Sequence, residues 1–357
     1  MKQKKVAIIG SRGVPAGYGG FESLVENLIG ENCSPTVDYT VFCSSRDLDE
    51  RRSSYLNSRL RYVGFHANGA QSVIYDLSSM LKALKGFDTL LVLGLSGGIF
   101  IPLIKRLSKA KIVVNIDGLE HRRLKWSSPT RRFLKASEAA AVRAADTVIA
   151  DNKVIAGYVF ATYGRQPVEI AYGGDHILRD VTTDRQEAIL REYGVEKGDY
   201  DIAICRIEPE NNCEMLLETY GKIPRRLLFI GNWNHNSYSQ ALLKKYSGLS
   251  NLILKEATYD PEKLFTLRSN AAVYLHGHSA GGTNPSLVEA MFLDPPVLAF
   301  DVAYNRESTF GKARYFSDGA SLINLLSSGD LRTDSLKEIA ADRYTWKKIA
   351  AAYEALY

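Results

Sequence analysis

Short apolar runs recur along this chain with helix-length segments between them, and that alternation constrains the fold more than any other feature. KVAIIG (5–10), YTVFCS (39–44), TLLVLG (89–94), KIVVNID (111–117) and DTVIAD (146–151) are too continuously apolar for strands with one wet face. Runs of this kind suit parallel strands covered on both sides. FESLVENLIG (21–30), SVIYDLSSMLKALK (72–85), GIFIPLIKRLSK (98–109) and SPTRRFLKASEAAAVRAA (128–145) have the length and spacing of covering helices. The pattern predicts a doubly wound α/β domain. It restarts after the glycine-rich PVEIAYGGDH (167–176), with DIAICR, RLLFIG, AAVYLHG and PPVLAF as strands. NCEMLLETYG, SQALLKKYS, PEKLFTLRSN and NPSLVEAMF are the helices between and after them. A length of 357 residues also suits two cores better than one. The expected organisation is two Rossmann-like domains, 1–172 and 173–335, then a helical pattern over 336–357 broken near Arg343–Thr345.

The balance of 45% hydrophobic and 24% charged residues fits a soluble globular protein, and no run is apolar enough to span a bilayer. No signal peptide is recognisable at the start of the sequence. Cys33, Cys43, Cys205 and Cys213 are scattered without metal-like spacing, which suggests free thiols in a reducing cytoplasm. The net charge of +5 is unevenly spread. HRRLKWSSPTRRFLK (121–135) carries Arg122, Arg123, Lys125, Arg131, Arg132 and Lys135 with no acid, and Trp126 and Phe133 lie among them. That composition suits an anionic lipid surface or a phosphate-bearing partner, and equally a plain solvated face. Nothing resembles a nucleic-acid-binding signature.

Three loops carry the hydrogen-bonding chemistry. IIGSRGVPAGYGGFE ends a strand at Gly10 and opens a helix after Gly19-Gly20, exposing amides where an anion or electron-rich oxygen can approach. Its glycine spacing fits neither the dinucleotide fingerprint nor a Walker loop. Arg206 ends DIAICR, placed to grip a diphosphate with both arms of its guanidinium or to pair with Glu208 or Glu210. Gly231 repeats the strand-to-glycine theme one unit later. HGHSAGGTNPSLVEAM (276–291) offers the amides of Gly281, Gly282 and Thr283, with Asn284 or Ser286 as a helix cap and Pro285 in the first turn. Glu289 is expected in that first turn, either complementing the helix dipole or accepting hydrogen bonds from sugar hydroxyls. His276 and His278 either face a ligand or pack in the core.

Taken in order, IIGSRGVPAGYGGFE, NIDGLEHRRLKWS, ADNKVI, RIEPENN, HGHSAGGTNPSLVEAM and RYTWKKIAAAYEALY span nearly the whole chain. They resemble the retaining GT-B glycosyltransferases of family four, and within them the bacterial rhamnosyltransferase branch of capsule, O-antigen and rhamnan assembly. The resemblance implies an acceptor-binding first domain and a nucleotide-sugar-binding second domain facing an interdomain cleft. It also implies a C-terminal helix crossing back to the first domain. The implied reaction moves L-rhamnose from dTDP-β-L-rhamnose to a polyprenyl-diphosphate-linked saccharide, without metal or other cofactor, on the inner face of the cytoplasmic membrane. A UDP-hexose donor, or a non-catalytic sugar-nucleotide-binding subunit, is the alternative.

By position, Glu289 matches the second acid of the family's Glu-x7-Glu motif, which holds the donor ribose. The first acid falls at Gly281, a departure that leaves backbone amides in its place. Arg206 matches the diphosphate-binding arginine, Asn211 stands where a lysine is usual, and Glu210 lies beside it as a further catalytic candidate. Gly19 and Gly20 match paired glycines near the pyrophosphate. Asp117 matches a catalytic-centre His or Asp, suited to orienting an acceptor hydroxyl or taking its proton.

Overall fold

A computed structural model of the protein describes residues 3–17, 19–30, 34–123, 126–329, 331–333 and 335–357. The chain forms two compact units, Met1–Tyr172 with Trp346–Tyr357, and Gly173–Thr345.

The first unit is built on β1 (Lys4–Ile9), β2 (Val37–Ser44), β3 (Ser54–Tyr55), β4 (Ser58–Val63), β5 (Thr89–Leu93), β6 (Lys111–Asn115), β7 (Thr147–Ala150) and β8 (Val168–Glu169). Their order is β3-β4-β2-β1-β5-β6-β7-β8, parallel except for the β3–β4 pair. Val6 of β1 sits opposite Tyr39 on one side and Thr89 on the other, so the sheet grows in both directions from β1. The point where strand order reverses, between β1 and β5, is where sheets of this kind take ligands at their carboxyl ends. Val6, Ile8, Leu24, Val41, Leu91 and Val113 are buried in one core with Trp346, Ile349, Ala350 and Tyr353.

The second unit has β9 (Asp201–Ile204), β10 (Leu227–Gly231), β11 (Leu252–Glu256), β12 (Val273–His276), β13 (Val297–Phe300) and β14 (Arg314–Phe316). Its sheet runs β11-β10-β9-β12-β13-β14, with every pairing parallel, and reverses between β9 and β12. Ala203, Leu216, Phe229, Trp233, Leu275 and Phe316 share its core.

Five strands have no counterpart among the apolar runs: β3, β4, β8, β11 and β14. They lie at or beside sheet edges, where water covers part of the surface and a continuous apolar run is not required. β4 shows this directly, alternating buried and exposed positions.

The segment 336–357 is not one crossing helix. Leu336–Arg343 is a helix of the second unit, with Leu336 and Ala340 buried, and only the helix Trp346–Glu354 belongs to the first. Tyr344 leaves helical geometry between them; its hydroxyl donates to the Ser308 carbonyl at 2.9 Å and its own carbonyl accepts from Gly174 at 2.8 Å. The boundary of the second unit therefore lies at 345 rather than 335. In the first unit Asn115 Nδ2 donates to the Tyr353 hydroxyl at 2.6 Å, fastening the last helix to the end of β6.

Candidate functional site

In the second unit the β9 and β12 ends lead into two turns that are tied together. Asn212 takes a left-handed conformation (φ 52°) and donates from Nδ2 to the Gly277 carbonyl at 2.8 Å. Both the amide and the hydroxyl of Ser279 donate to the Glu210 carbonyl at 2.8 Å. Position 277 must be glycine, because a Cβ there would lie 2.3 Å from the Asn211 carbonyl oxygen. Asn211 donates from Nδ2 to the Arg206 carbonyl at 2.7 Å and so shapes the loop. Arg206 itself is exposed, with Nη1 a loose 3.9 Å from Glu208 Oε1, which leaves its guanidinium accessible to an anion. Glu210 is only 7% exposed, and its carbonyl ties the two turns together. Its carboxylate is therefore buried, where an open one was expected.

The 281–284 turn separates into different roles. Gly281 has φ 135°, open to glycine and strained for other residues, and nothing fills the space beside it. Gly282 and Thr283 are buried. Asn284 is the cap of the helix Pro285–Met291: its Oδ1 accepts from the Ser286 amide at 3.2 Å and hydroxyl at 2.9 Å. Glu289 is in the second turn, not the first, and so is no dipole complement. Its Oε2 lies 2.7 Å from Arg268 Nη2 and its Oε1 3.3 Å from His176 Nε2. Burial pushes the Glu289 carboxyl upward, but the Arg268 charge and the His176 contact outweigh it and hold the group below the usual range. Arg268 is 3% exposed, and its Nε and Nη1 have no hydrogen-bond partner among the described residues. Gly174 allows the His176 turn to approach, since a Cβ there would meet Val288 Cγ1 at 2.8 Å.

Two of the expected donor-binding residues are corrected. His276 is 1% exposed, with its ring stacked on His278 at 4.3 Å, and burial lowers its pKa to about 3, so it is a neutral core residue beneath His278. Only His278 is partly exposed. At Gly231 the space of the missing side chain is closed by Ile207 Cδ1 at 2.4 Å and the Cys205 carbonyl at 2.7 Å, so this glycine serves strand packing.

In the first unit Gly19 (φ 117°) precedes the helix Gly20–Leu28, and a Cβ there would lie 2.1 Å from Glu22 Oε2. Glu22 is 8% exposed, and its Oε1 accepts from the Arg12 amide at 2.7 Å. Burial raises its pKa, and the negative charge of Asp117 adds to the rise. Asp117 follows β6 with φ 55°, a sparsely used conformation for a residue with a side chain, and its amide donates to Asn115 Oδ1 at 2.9 Å. The Asp117 charge thus reaches the Glu22 carboxyl at the carboxyl edge of the sheet, adding to the effect of burial.

Glu22, Arg268 and His176 escape the sequence reading. Glu22 has a faint signal, an acid two residues after a glycine pair. Arg268 has none, because a basic residue near a helix end is ordinarily solvated.

The cationic stretch is only partly presented outward. Glu120 takes Arg123 at 2.5 Å and the Trp126 Nε1 at 2.9 Å, so these two fold onto their own turn instead of facing a membrane. Arg122 lies over the Tyr158 ring at 4.9 Å, Lys135 is bound to buried Glu138 at 2.9 Å, and Arg132 is exposed with Arg131 half-buried. Lys125 lies outside the described residues. Among the described residues no helix is long and apolar enough to cross a membrane, and no three His, Cys, Asp or Glu side chains gather as a metal site.

Residues 3–175 match a family described as a domain of unknown function, DUF1972. No curated protein matches the chain. Among solved structures, sucrose-phosphate synthase from Thermosynechococcus elongatus aligns with TM-score 0.79 at 16% identity, over 99% of this chain and 98% of that one. HepE from Anabaena in complex with UDP-glucose aligns with TM-score 0.75 at 14% identity, over 99% of both chains. The catalytic domain of starch synthase IV from Arabidopsis thaliana, bound to ADP and acarbose, gives 0.69 at 12% identity, over 100% of this chain and 99% of that one. The fold is accordingly that of the GT-B glycosyltransferases, two parallel-sheet Rossmann-like domains.

Proposed function

We propose that this chain is a glycosyltransferase in which the second unit holds a nucleotide sugar and the first receives the acceptor. The observation that carries the reading is the paired turns after β9 and β12, which set an accessible Arg206 and the open Gly281 backbone at the strand-order reversal of the second sheet. As the sugar departs, negative charge grows on the diphosphate. Arg206 and the amides of 281–283 stabilise that charge, a preorganised arrangement whose members are each worth about 3 kcal/mol in comparable sites. Glu289, kept ionised by Arg268 and His176, retains lone pairs for the donor's ribose hydroxyls. Asp117 orients the acceptor hydroxyl.

In its finer form the donor is dTDP-β-L-rhamnose, transferred with retention to a polyprenyl-diphosphate-linked saccharide in bacterial surface-polysaccharide synthesis. This rests on the motif series from IIGSRGVPAGYGGFE to RYTWKKIAAAYEALY. Arg122, Arg131 and Arg132 would draw the first unit to the anionic inner face of the cytoplasmic membrane, at about 1 kcal/mol for each basic residue near the surface. A second reading, a UDP-hexose donor, is favoured by the likeness to HepE in complex with UDP-glucose.

Thermal protection by dTDP-rhamnose, UDP-glucose and UDP-N-acetylglucosamine chooses between them. Turnover is then measured with a synthetic lipid-linked acceptor. Protection by none of the three, in wild type and not only in an Arg206→Ala variant, sinks the proposal.

A further inference from the structure

The helix Ser128–Ala144 presents Arg131, Arg132, Lys135 and Arg143 to an open basin of about 720 Å³ within the first unit. These positions, with Ala136 and Ala139, recur at three- and four-residue steps and so share one helix face. At 1.5 Å of rise per residue, Arg143 stands about 18 Å along the axis from Arg131, with the two alanines leaving room between the cations. Among the described residues no acidic side chain lines the basin.

Its floor is fixed from beneath. Glu138, 1% exposed, accepts from Lys135 at 2.9 Å and from the hydroxyls of Tyr158 and Tyr163 at 2.6 Å, and lies 2.9 Å from His121. Lys135 is therefore countered by a carboxylate, whereas Arg131, Arg132 and Arg143 have no acidic partner among the described residues. Guanidiniums gathered in a concavity repel one another until an anion enters, and their planar forks match phosphate oxygens.

We infer that this basin binds a diphosphate ester, the charged head of the lipid-linked acceptor. The anion chemistry stands on the basin alone, while its assignment to the acceptor rests on the proposed function. The test is calorimetric titration of the full chain with inorganic diphosphate. With UDP saturating the donor site, one further site is expected, weakened at least tenfold in Arg131→Gln/Arg132→Gln. A similar loss is expected in Ala136→Leu/Ala139→Leu, which fills the basin without touching its charge. Glutamine and leucine both suit a helix, and circular dichroism melts verify that the variants fold. Unchanged binding in either variant, or no diphosphate binding while UDP is saturating, overturns the site. Vesicles of phosphatidic acid and of phosphatidylcholine separate the sources of phosphate. Acidic-vesicle binding lost in the leucine variant supports a lipid head seated in the basin, whereas binding that survives it marks diffuse attraction and overturns the inference. Retained diphosphate binding in a chain that binds no nucleotide sugar removes the acceptor assignment alone.

Discussion

Replacing Glu289 by glutamine separates its structural role from its proposed ligand role. Glu289 is the acid paired with Arg268, a side chain 3% exposed whose other nitrogens lack partners among the described residues. The substitution keeps an acceptor but removes the negative charge, leaving a buried guanidinium uncompensated. Loss of one member of such a pair costs about 3–5 kcal/mol, and the retained hydrogen bond favours the lower end. For a unit the size of Gly173–Thr345, about 3 kcal/mol corresponds to roughly 6–12 °C in Tm. Differential scanning calorimetry reads this directly in the transition of the second unit. A companion Arg268→Met/Glu289→Leu variant removes both charges, and should recover most of that loss because apolar side chains replace a buried ion pair at little cost. Nucleotide binding should stay impaired in the companion, since the ribose acceptor is gone. A Glu289→Gln protein that melts within about 1 °C of wild type refutes the premise that Arg268 depends on this carboxylate.

Other consequences follow from single contacts. Asp76 is buried, its Oδ2 accepts from the Gly97 amide at 2.8 Å, and burial lifts its pKa from 3.8 to about 7. A carboxyl raised in the folded state contributes stability that is present below pH 3.8 and lost as pH climbs through about 7. Asp76→Asn should therefore be the more stable protein at pH 8, with the gap closing toward pH 4 in urea denaturation at each pH. Gly277→Ala places a Cβ against the Asn211 carbonyl and should destabilise by about 1–3 kcal/mol while weakening nucleotide protection, measured by denaturation and thermal shift. Tyr353→Phe leaves the buried Asn115 amide nitrogen without its hydroxyl partner, for a loss of about 1–3 kcal/mol, and hydrogen exchange should quicken over Trp346–Glu354.

How far the site was legible depends on the range of the interaction concerned. The Asn284 cap and the glycine turn before it were readable, because an N-cap and a φ beyond the ordinary range are local demands of the backbone. The charge state of Glu289 was not, because it depends on Arg268 and His176, which come from other segments of the chain. His276 shows the opposite case. Two histidines beside a Gly-Gly turn look ligand-facing in a sequence, yet the first is still within the buried strand and is sealed there, its ring stacked on that of the second just past the strand end. Gly231 and Glu210 look like exposed loop chemistry and are buried once their neighbours are in place.

By itself the sequence determined two parallel α/β sheets in tandem and the loops that follow their strands, because buried strands and amphipathic helices announce themselves through periodicity within a few residues. Only tertiary structure decided which carboxylates stay charged and which histidine is sealed. It also placed Glu22 within reach of Asp117 and divided the last residues between the two units. Burial and ion pairing arise between segments distant in the chain, so no local pattern can encode them.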